Sequence, residues 1–258
     1  MRVGIVGTLA VIALAVLVGT ILQRLSGTGV GLVVAPVLSL LLGPAFGVLV
    51  TNMTTVVSGF LIMLSVWSAI NWRQFWLIIP AAVIGAWPGA WLVGMLPAGW
   101  LSIILGSIVV AALLVTVTLR RLPEWTSRLP AVLAGLIGGF FNTTSGVAAP
   151  VMVIYSRLSR WEQRSFAATL QPIFMTMGAA SVLSKLALGS VSTDGGVGVP
   201  FGWLFAGIVL TVVVGILIAT QLAKAVSSSA ARTLAMTLAG LGGAGAILRG
   251  ILDVVSAG

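Results

Sequence analysis

The sequence predicts an all-α polytopic membrane protein made of two inverted repeats, each a partly re-entrant helical hairpin followed by three transmembrane helices. Three observations carry this expectation. Of 258 residues, 59% are hydrophobic and only 7% are charged. A soluble domain has about 25% charged residues, so too few charges remain to cover a water-facing surface. Apolar runs of about 20 residues, each long enough to cross roughly 30 Å of hydrocarbon, recur along the whole chain. Two polar, glycine- or threonine-rich interruptions fall at corresponding places in the two halves. A β-barrel would instead show short alternating segments.

The elements follow in order. The opening "MRVGIVGTLAVIALAVLVGTILQ" has an apolar run longer than a signal-peptide core and no small-x-small cleavage site. It reads as a retained first helix over 3–23. Apolar helices follow at 31–43, 46–70, 74–96 and 99–119. After the polar break "RRLPEWTSRLP" come 130–141, 146–157, 164–188, 201–223 and 230–250. The segments 31–43, 130–141 and 146–157 are too short to span unaided. They belong to pairs joined by the tips "SGTGVG" and "NTTSG". The first repeat thus covers 1–121, a cytoplasmic linker 122–129, and the second repeat 130–258.

The halves echo each other. "SGTGVGLVVAPVL" lies over "FNTTSGVAAPVM", with Pro36 opposite Pro150. "VTNMT" lies over "ATLQP", which sets Thr51 with Thr169 and Asn52 or Met53 near Gln171. Trp72 falls with Trp203, and Gly85 with Gly215. The charges then orient the chain by the positive-inside rule. Arg120, Arg121 and Arg128 mark the central break as cytoplasmic, and "RLSRWEQR" joins it with three arginines against one glutamate. Counting spans puts Arg73 and Lys224 inside, and the loops near 45 and 97, Asp194 and the C-terminus outside. Arg2 dissents. An odd number of crossings per half inverts the second repeat relative to the first, as in many secondary transporters.

Composition excludes several functions. The net charge of +9 comes from thirteen scattered basic residues, with no basic stripe interleaved with aromatics, so no nucleic-acid partner is expected. Cys and His are absent, and the four acids, Glu124, Glu162, Asp194 and Asp253, are not clustered. No metal site, cofactor or Ser/His/Asp catalysis is therefore expected. A Ser/Lys dyad stays formally open. The "GTGVG" tip lacks the preceding strand of a dinucleotide fold, and GxxxxGK[ST] does not occur.

The tips carry the available chemistry. Non-helical backbone at membrane depth must be buried in protein or line a cavity, because unsatisfied N–H and C=O groups there cost several kcal/mol each. The N-terminus of the short helix after each tip offers free N–H groups and a positive dipole end. Ser26, Thr28, Asn142, Thr143, Thr144 and Ser145 add neutral donors, while Gly27, Gly29, Gly31 and Gly146 allow close approach of a ligand. This is anion-binding chemistry. Packing between helices is the competing role for each small residue. Thr51, Asn52, Thr169 and Gln171 lie early in the following span of each half. They either face the same cavity or hydrogen-bond between helices. Arg24 is either an attractor for anions at the cytoplasmic mouth or a snorkelling anchor. Lys185 reads as an interfacial anchor, Trp72 and Arg73 as belt and orientation residues, and "GAWPGA" as a kinked packing segment. No acid falls within a span, so no carboxylate proton relay is expected. An exported anion needs none, since an inside-negative potential favours its exit by about 2.3 kcal/mol per charge per 100 mV.

At "SGTGVGLVVAPVL", "VTNMTTVVSG", "INWRQFWLIIPAAVIGAWPGAWL" and "GLIGGFFNTTSGVAAPVMVIY" the chain resembles the TauE/SafE sulfite exporter family. The resemblance covers nearly the whole chain. The second tip, Asn142 to Gly146, departs from the usual glycine-rich form. The resemblance implies a small anionic substrate (sulfite, sulfoacetate or another organosulfonate, or thiosulfate) exported across a prokaryotic inner membrane. Membrane lipids are the other expected partner, and a homodimer is left open. Two other classes compete: an integral membrane enzyme acting on lipid-linked substrates, which would need clustered acids or metal ligands, and a non-transporting scaffold, for which two polar tips have no evident use.

Overall fold

Glycine, proline and short polar caps set the helix ends in this computed structural model, which describes residues 4–27, 30–118, 122–125, 127–192 and 198–257. Thr28, Gly29, Arg120, Arg121 and Asp194 lie outside the described residues. The described residues form α1 (Ile5–Ser26), α2 (Gly31–Leu42), α3 (Pro44–Val66), α4 (Trp72–Met95) and α5 (Ala98–Thr118) in the first half. The second half holds α6 (Leu129–Ser145), α7 (Ala149–Leu158), α8 (Gln163–Ala187), α9 (Phe201–Leu222) and α10 (Ser228–Ala257). A single 3-10 turn, Trp67–Ala69, follows α3. Seven helices, all but α2, α6 and α7, are long and apolar enough to cross a membrane. The protein is an all-helical, multi-pass membrane protein.

The caps explain where the sequence reading misplaced boundaries. Gly27 and Gly146 both sit in the left-handed region, at φ 70° and 75°, and each donates its N–H to the carbonyl four residues back, Gln23 and Asn142, at 2.9 Å. A residue with Cβ resists that conformation, so α1 and α6 end there. Asn142 to Ser145 are therefore the last turn of α6, not a loop. The expected segment 130–141 stops too early because Thr144 and Ser145 donate back to the carbonyls of Phe140 and Phe141 and stay in the helix. The expected span 46–70 breaks at Val66 into the 3-10 turn, and 230–250 extends to Ala257. Pro36 lies inside α2 whereas Pro150 occupies the first turn of α7, so the two prolines are not at equivalent helical positions.

Close backbone approach builds the bundle. Cβ atoms at Gly85, Gly135 and Gly139 would overlap the carbonyl oxygens of Leu136, Ile78 and Ala82, so α4 and α6 pack through small residues four apart on both partners. α5 and α10 pair in the same way, Gly106 against the Gly243 carbonyl and Gly250 against that of Gly99. α9 lies against α1, and α3 and α8 cross at the centre. α3 is the most enclosed of the long helices.

Contacts between loops sort the helix ends. The Trp125 N–H donates to the Leu158 carbonyl at 2.9 Å, and Arg160 donates to that of Leu122 at 3.2 Å. Arg73 and Arg128 flank the same region with Tyr155 and Ser159. At the opposite end Arg249 donates to the Leu40 carbonyl, Gly94 faces Ser190, Gly99 faces Asp253, and Gly198 faces Ile5. The hairpin α1–α2 thus begins and ends at one face of the bundle, and α6–α7 at the other.

Candidate functional site

Two helix N-termini face one small chamber. It is lined by Gly31 and Leu32 from the start of α2, Gly146 to Ala149 from the second tip and the start of α7, and Thr55, Asn142 and Phe174. The first-turn N–H groups of a helix have no partner within it, and the dipole makes that end positive. Two such ends therefore bring unpaired N–H donors and positive potential to the same space, with no acid in the lining. The chamber is about 10 Å³, enough for one water-sized group. The tips themselves touch, since a Cβ at Gly31 would overlap the Gly146 carbonyl oxygen.

An amide pair braces the chamber wall. Asn142 Nδ2 donates to Asn52 Oδ1 at 3.0 Å, and Asn52 Nδ2 donates to the Asn142 carbonyl at 3.2 Å and to Ser181 Oγ at 2.7 Å. All three residues are buried. This ties α3, α6 and α8 together at the level of the second tip. Thr51 touches the same tip, with its methyl 3.4 Å from where a Gly146 Cβ would stand. Gln171 accepts from Gln23 Nε2 at 3.1 Å and so links α8 to α1 just before the first tip.

The hydroxyls behave differently from the sequence expectation. Ser26, Thr51, Thr144 and Ser145 donate to the carbonyls of Leu22, Gly47, Phe140 and Phe141 in their own helices at 2.6 to 2.9 Å. Their protons are spent there, leaving only lone pairs for a neighbour. The Thr143 hydroxyl, buried against Gly89, has no partner. The donors available to an anion in the chamber are hence chiefly backbone N–H groups and the second amide proton of Asn142.

A wider vestibule of about 160 Å³ adjoins the chamber, with Leu32 and Ala149 lining both. Ser26 and Gly27 of the first tip lie in its wall, together with Ser156, Gln163 and two arginines, Arg157 and Arg232. No acid lines it. Sequence reasoning missed both arginines: it scored Arg157 as a loop charge and gave Arg232, inside the expected span 230–250, no role; only the fold brings the start of α10 and the end of α7 to one vestibule.

Two candidates fall elsewhere. Arg24 lies half-buried in the last turn of α1, where a cation complements the helix dipole, and lines neither cavity. Thr169 accepts the Asn71 N–H at 2.8 Å and donates to the Ser165 carbonyl, fixing the turn before α4. Lys185 is not an interfacial anchor, because its side chain is completely enclosed on α8.

Seven apolar crossings around a buried, donor-rich break define a multi-pass membrane protein of the transport kind. The family described as sulfite exporter TauE/SafE matches residues 11–246, and the chain belongs to it. It is a family of transporters, which points to a membrane exporter of sulfite or related sulfur anions. No curated protein and no solved structure matches the chain.

Proposed function

We propose that the protein exports small sulfur-containing oxyanions, namely sulfite, sulfoacetate or other organosulfonates, or thiosulfate, across a prokaryotic inner membrane. The convergence of the α2 and α7 N-termini on one chamber below an arginine-lined vestibule is the observation that carries this reading. An oxyanion collected by Arg157 and Arg232 meets backbone donors and two positive helix ends in turn, with no carboxylate along the way. The positive-inside rule makes the arginine-rich end cytoplasmic, so the vestibule is the entrance for export.

The proposed site comprises Asn142, Gly146 and the first-turn N–H groups of Gly31 and Leu32 on α2 and of Ala149 and Val151 on α7, Pro150 having none. Asn52, Thr51 and Gln171 hold the tips in place, Ser26 and Gly27 line the approach, and Thr28 and Gly29 complete the first tip in the chain. Since a chamber of about 10 Å³ is smaller than sulfite, the tips separate when substrate enters. The halves 1–121 and 130–258 act as inverted repeats in this reading. In support, Leu17 and Leu136 stand equally far before the caps Gly27 and Gly146, and they face Gly215 and Gly85 respectively. The hairpins α1–α2 and α6–α7 also begin at opposite faces.

Asp253, exposed and paired with Arg249 near the end of α10, is the only acid within a described span and lines neither cavity, so efflux is uniport or channel-like, driven by the membrane potential. Sulfite flux in proteoliposomes under a potassium-diffusion potential tests this. Flux that rises with inside-negative potential and falls at least about tenfold in Asn142→Ala is expected, as for a lost hydrogen bond to a charged group. Flux that is unaltered in that variant removes the site, and a strict requirement for a proton or sodium gradient removes the uniport.

A further inference from the structure

Among the described residues Lys185 is the largest fully enclosed side chain, with 0% of its surface exposed. Its Nζ has no hydrogen-bond partner. An ammonium taken out of water needs a counter-charge or a set of acceptors, because burial without them costs several kcal/mol. The surrounding helices offer neither. Among the described residues of α1, α3, α4, α6 and the 3-10 turn, which all touch α8, Arg24 and Arg73 are the sole charged side chains; Arg73 lies at the far end of α4, and Arg24 stands beside Gln23, which meets α8 at Gln171, 14 residues before Lys185. The described acids are also remote: Glu162 caps the opposite end of α8, Asp253 pairs with Arg249 at 3.7 Å, and Glu124 lies in the linker.

Its position gives the missing charge a source. Lys185 follows Ser181 by four residues, so the two share a face of α8, about 6 Å apart along the axis. Ser181 accepts from Asn52, whose partner Asn142 lines the chamber. From the vestibule, the order along the bundle is the two arginines, the chamber, the Asn52–Asn142–Ser181 cluster and then Lys185. We infer that Lys185, with Ser181, forms a second anion site on the far side of the chamber, where the transported anion itself supplies the counter-charge. This inference rests on the reading of the protein as an anion exporter and extends it. An oxyanion leaving the two helix N-termini meets a full positive charge within the wall, so its transfer toward the outer face exchanges one cationic partner for another.

The test uses full-length protein in detergent, with melting followed across titrations of sulfite, sulfate, nitrate and chloride against gluconate at constant ionic strength. Wild-type protein is expected to gain stability from at least one small anion. In K185M the half-saturating concentration is expected to rise at least about tenfold, the scale of losing a hydrogen bond to a charged group, while K185R stays close to wild type. In gluconate K185M is expected to melt no lower than wild type, because the unpaired charge is gone. A merely structural lysine would not give that pairing of results. If K185M fails to fold, K185Q carries the same comparison. Unchanged half-saturation in K185M or K185Q, or no anion response in wild type, overturns the inference. Strong coupling between K185M and D194N in a double-mutant cycle overturns it too, because the counter-charge is then the protein's own. A response to chloride or nitrate that depends on Lys185, without one to sulfite, leaves this site standing and removes the sulfur-oxyanion reading alone.

Discussion

Gly31 and Gly146 meet backbone to backbone, the first residue of α2 set against the carbonyl of the glycine that ends α6. Neither belongs to the same half of the chain, yet their contact closes the chamber. Any side chain at Gly31 must push the second tip away. Overpacking of this kind costs about 1–3 kcal/mol, so Gly31→Ala is expected to lower the melting temperature and to reduce sulfite flux. Gly207→Ala in α9 is the matched control. A Cβ there meets nothing within 4 Å, and it is expected to leave both measurements near wild type. Equal effects of the two substitutions would mean that the tips do not touch.

The amide pair makes a second prediction. Removing Asn52 leaves the Asn142 amide without its acceptor in a buried site, and removing Asn142 orphans the Asn52 carbonyl oxygen. Each alanine substitution is expected to cost about 1–3 kcal/mol. The double variant should cost clearly less than their sum, since neither group is then left unpaired by the other. Chemical unfolding of the four proteins in detergent measures the cycle. Strict additivity would show that the pair does not couple the halves.

Much of this was legible in the sequence because membrane helices announce themselves by length and apolar content. Among the described residues the ten α-helices fall near their expected places, and the paired breaks fall at Gly27 and Gly146. What escaped was local. "NTTSG" reads as a loop because Asn, Thr and Ser favour turns, but in a dry interior the Thr144 and Ser145 hydroxyls satisfy themselves on the preceding helical turn. Thr169 shares a sequence register with Thr51, yet it faces the turn at Asn71 rather than the chamber. Lys185 looked like an anchor because its distance from the span's end is the only thing a sequence shows. Which neighbour it faces depends on how α3, α4 and α8 cross. Arg157 and Arg232, 75 residues apart in the numbering, meet at one vestibule for the same reason.

Glu162 gives a pH dependence with a definite sign. Its carboxylate accepts the N–H groups of Ser165 and Arg164 at 2.7 Å, capping α8. Those backbone bonds, that of Ser165 first, hold its carboxyl below the ordinary range. A lowered folded-state value means the capping contribution is complete above the ordinary carboxylate range and disappears as pH falls through the lowered one. Melting temperatures measured from pH 6 down to about 3 should therefore fall more steeply for wild type than for Glu162→Gln, which has no charge to lose. Parallel curves would show that the cap does not titrate with folding.

The vestibule arginines make a prediction about rate rather than stability. Arg232 is exposed and Arg157 half-buried, and both lie in the same wall with no acid beside them in that lining. Charges so placed concentrate anions at the entrance, and their effect weakens as the Debye length shrinks from about 10 Å at 0.1 M salt to about 3 Å at 1 M. Initial sulfite flux from the arginine-rich face should fall with added potassium gluconate in wild type. In the Arg157→Gln/Arg232→Gln double variant it should start about tenfold lower at low salt and barely change thereafter. The loss should appear in the apparent KM, with the maximal rate kept, because steering raises encounter and not passage through the tips. A variant that loses maximal rate at unchanged KM would instead place an arginine in the transport step itself. Flux with the wild-type salt dependence would mean that anions enter by another route.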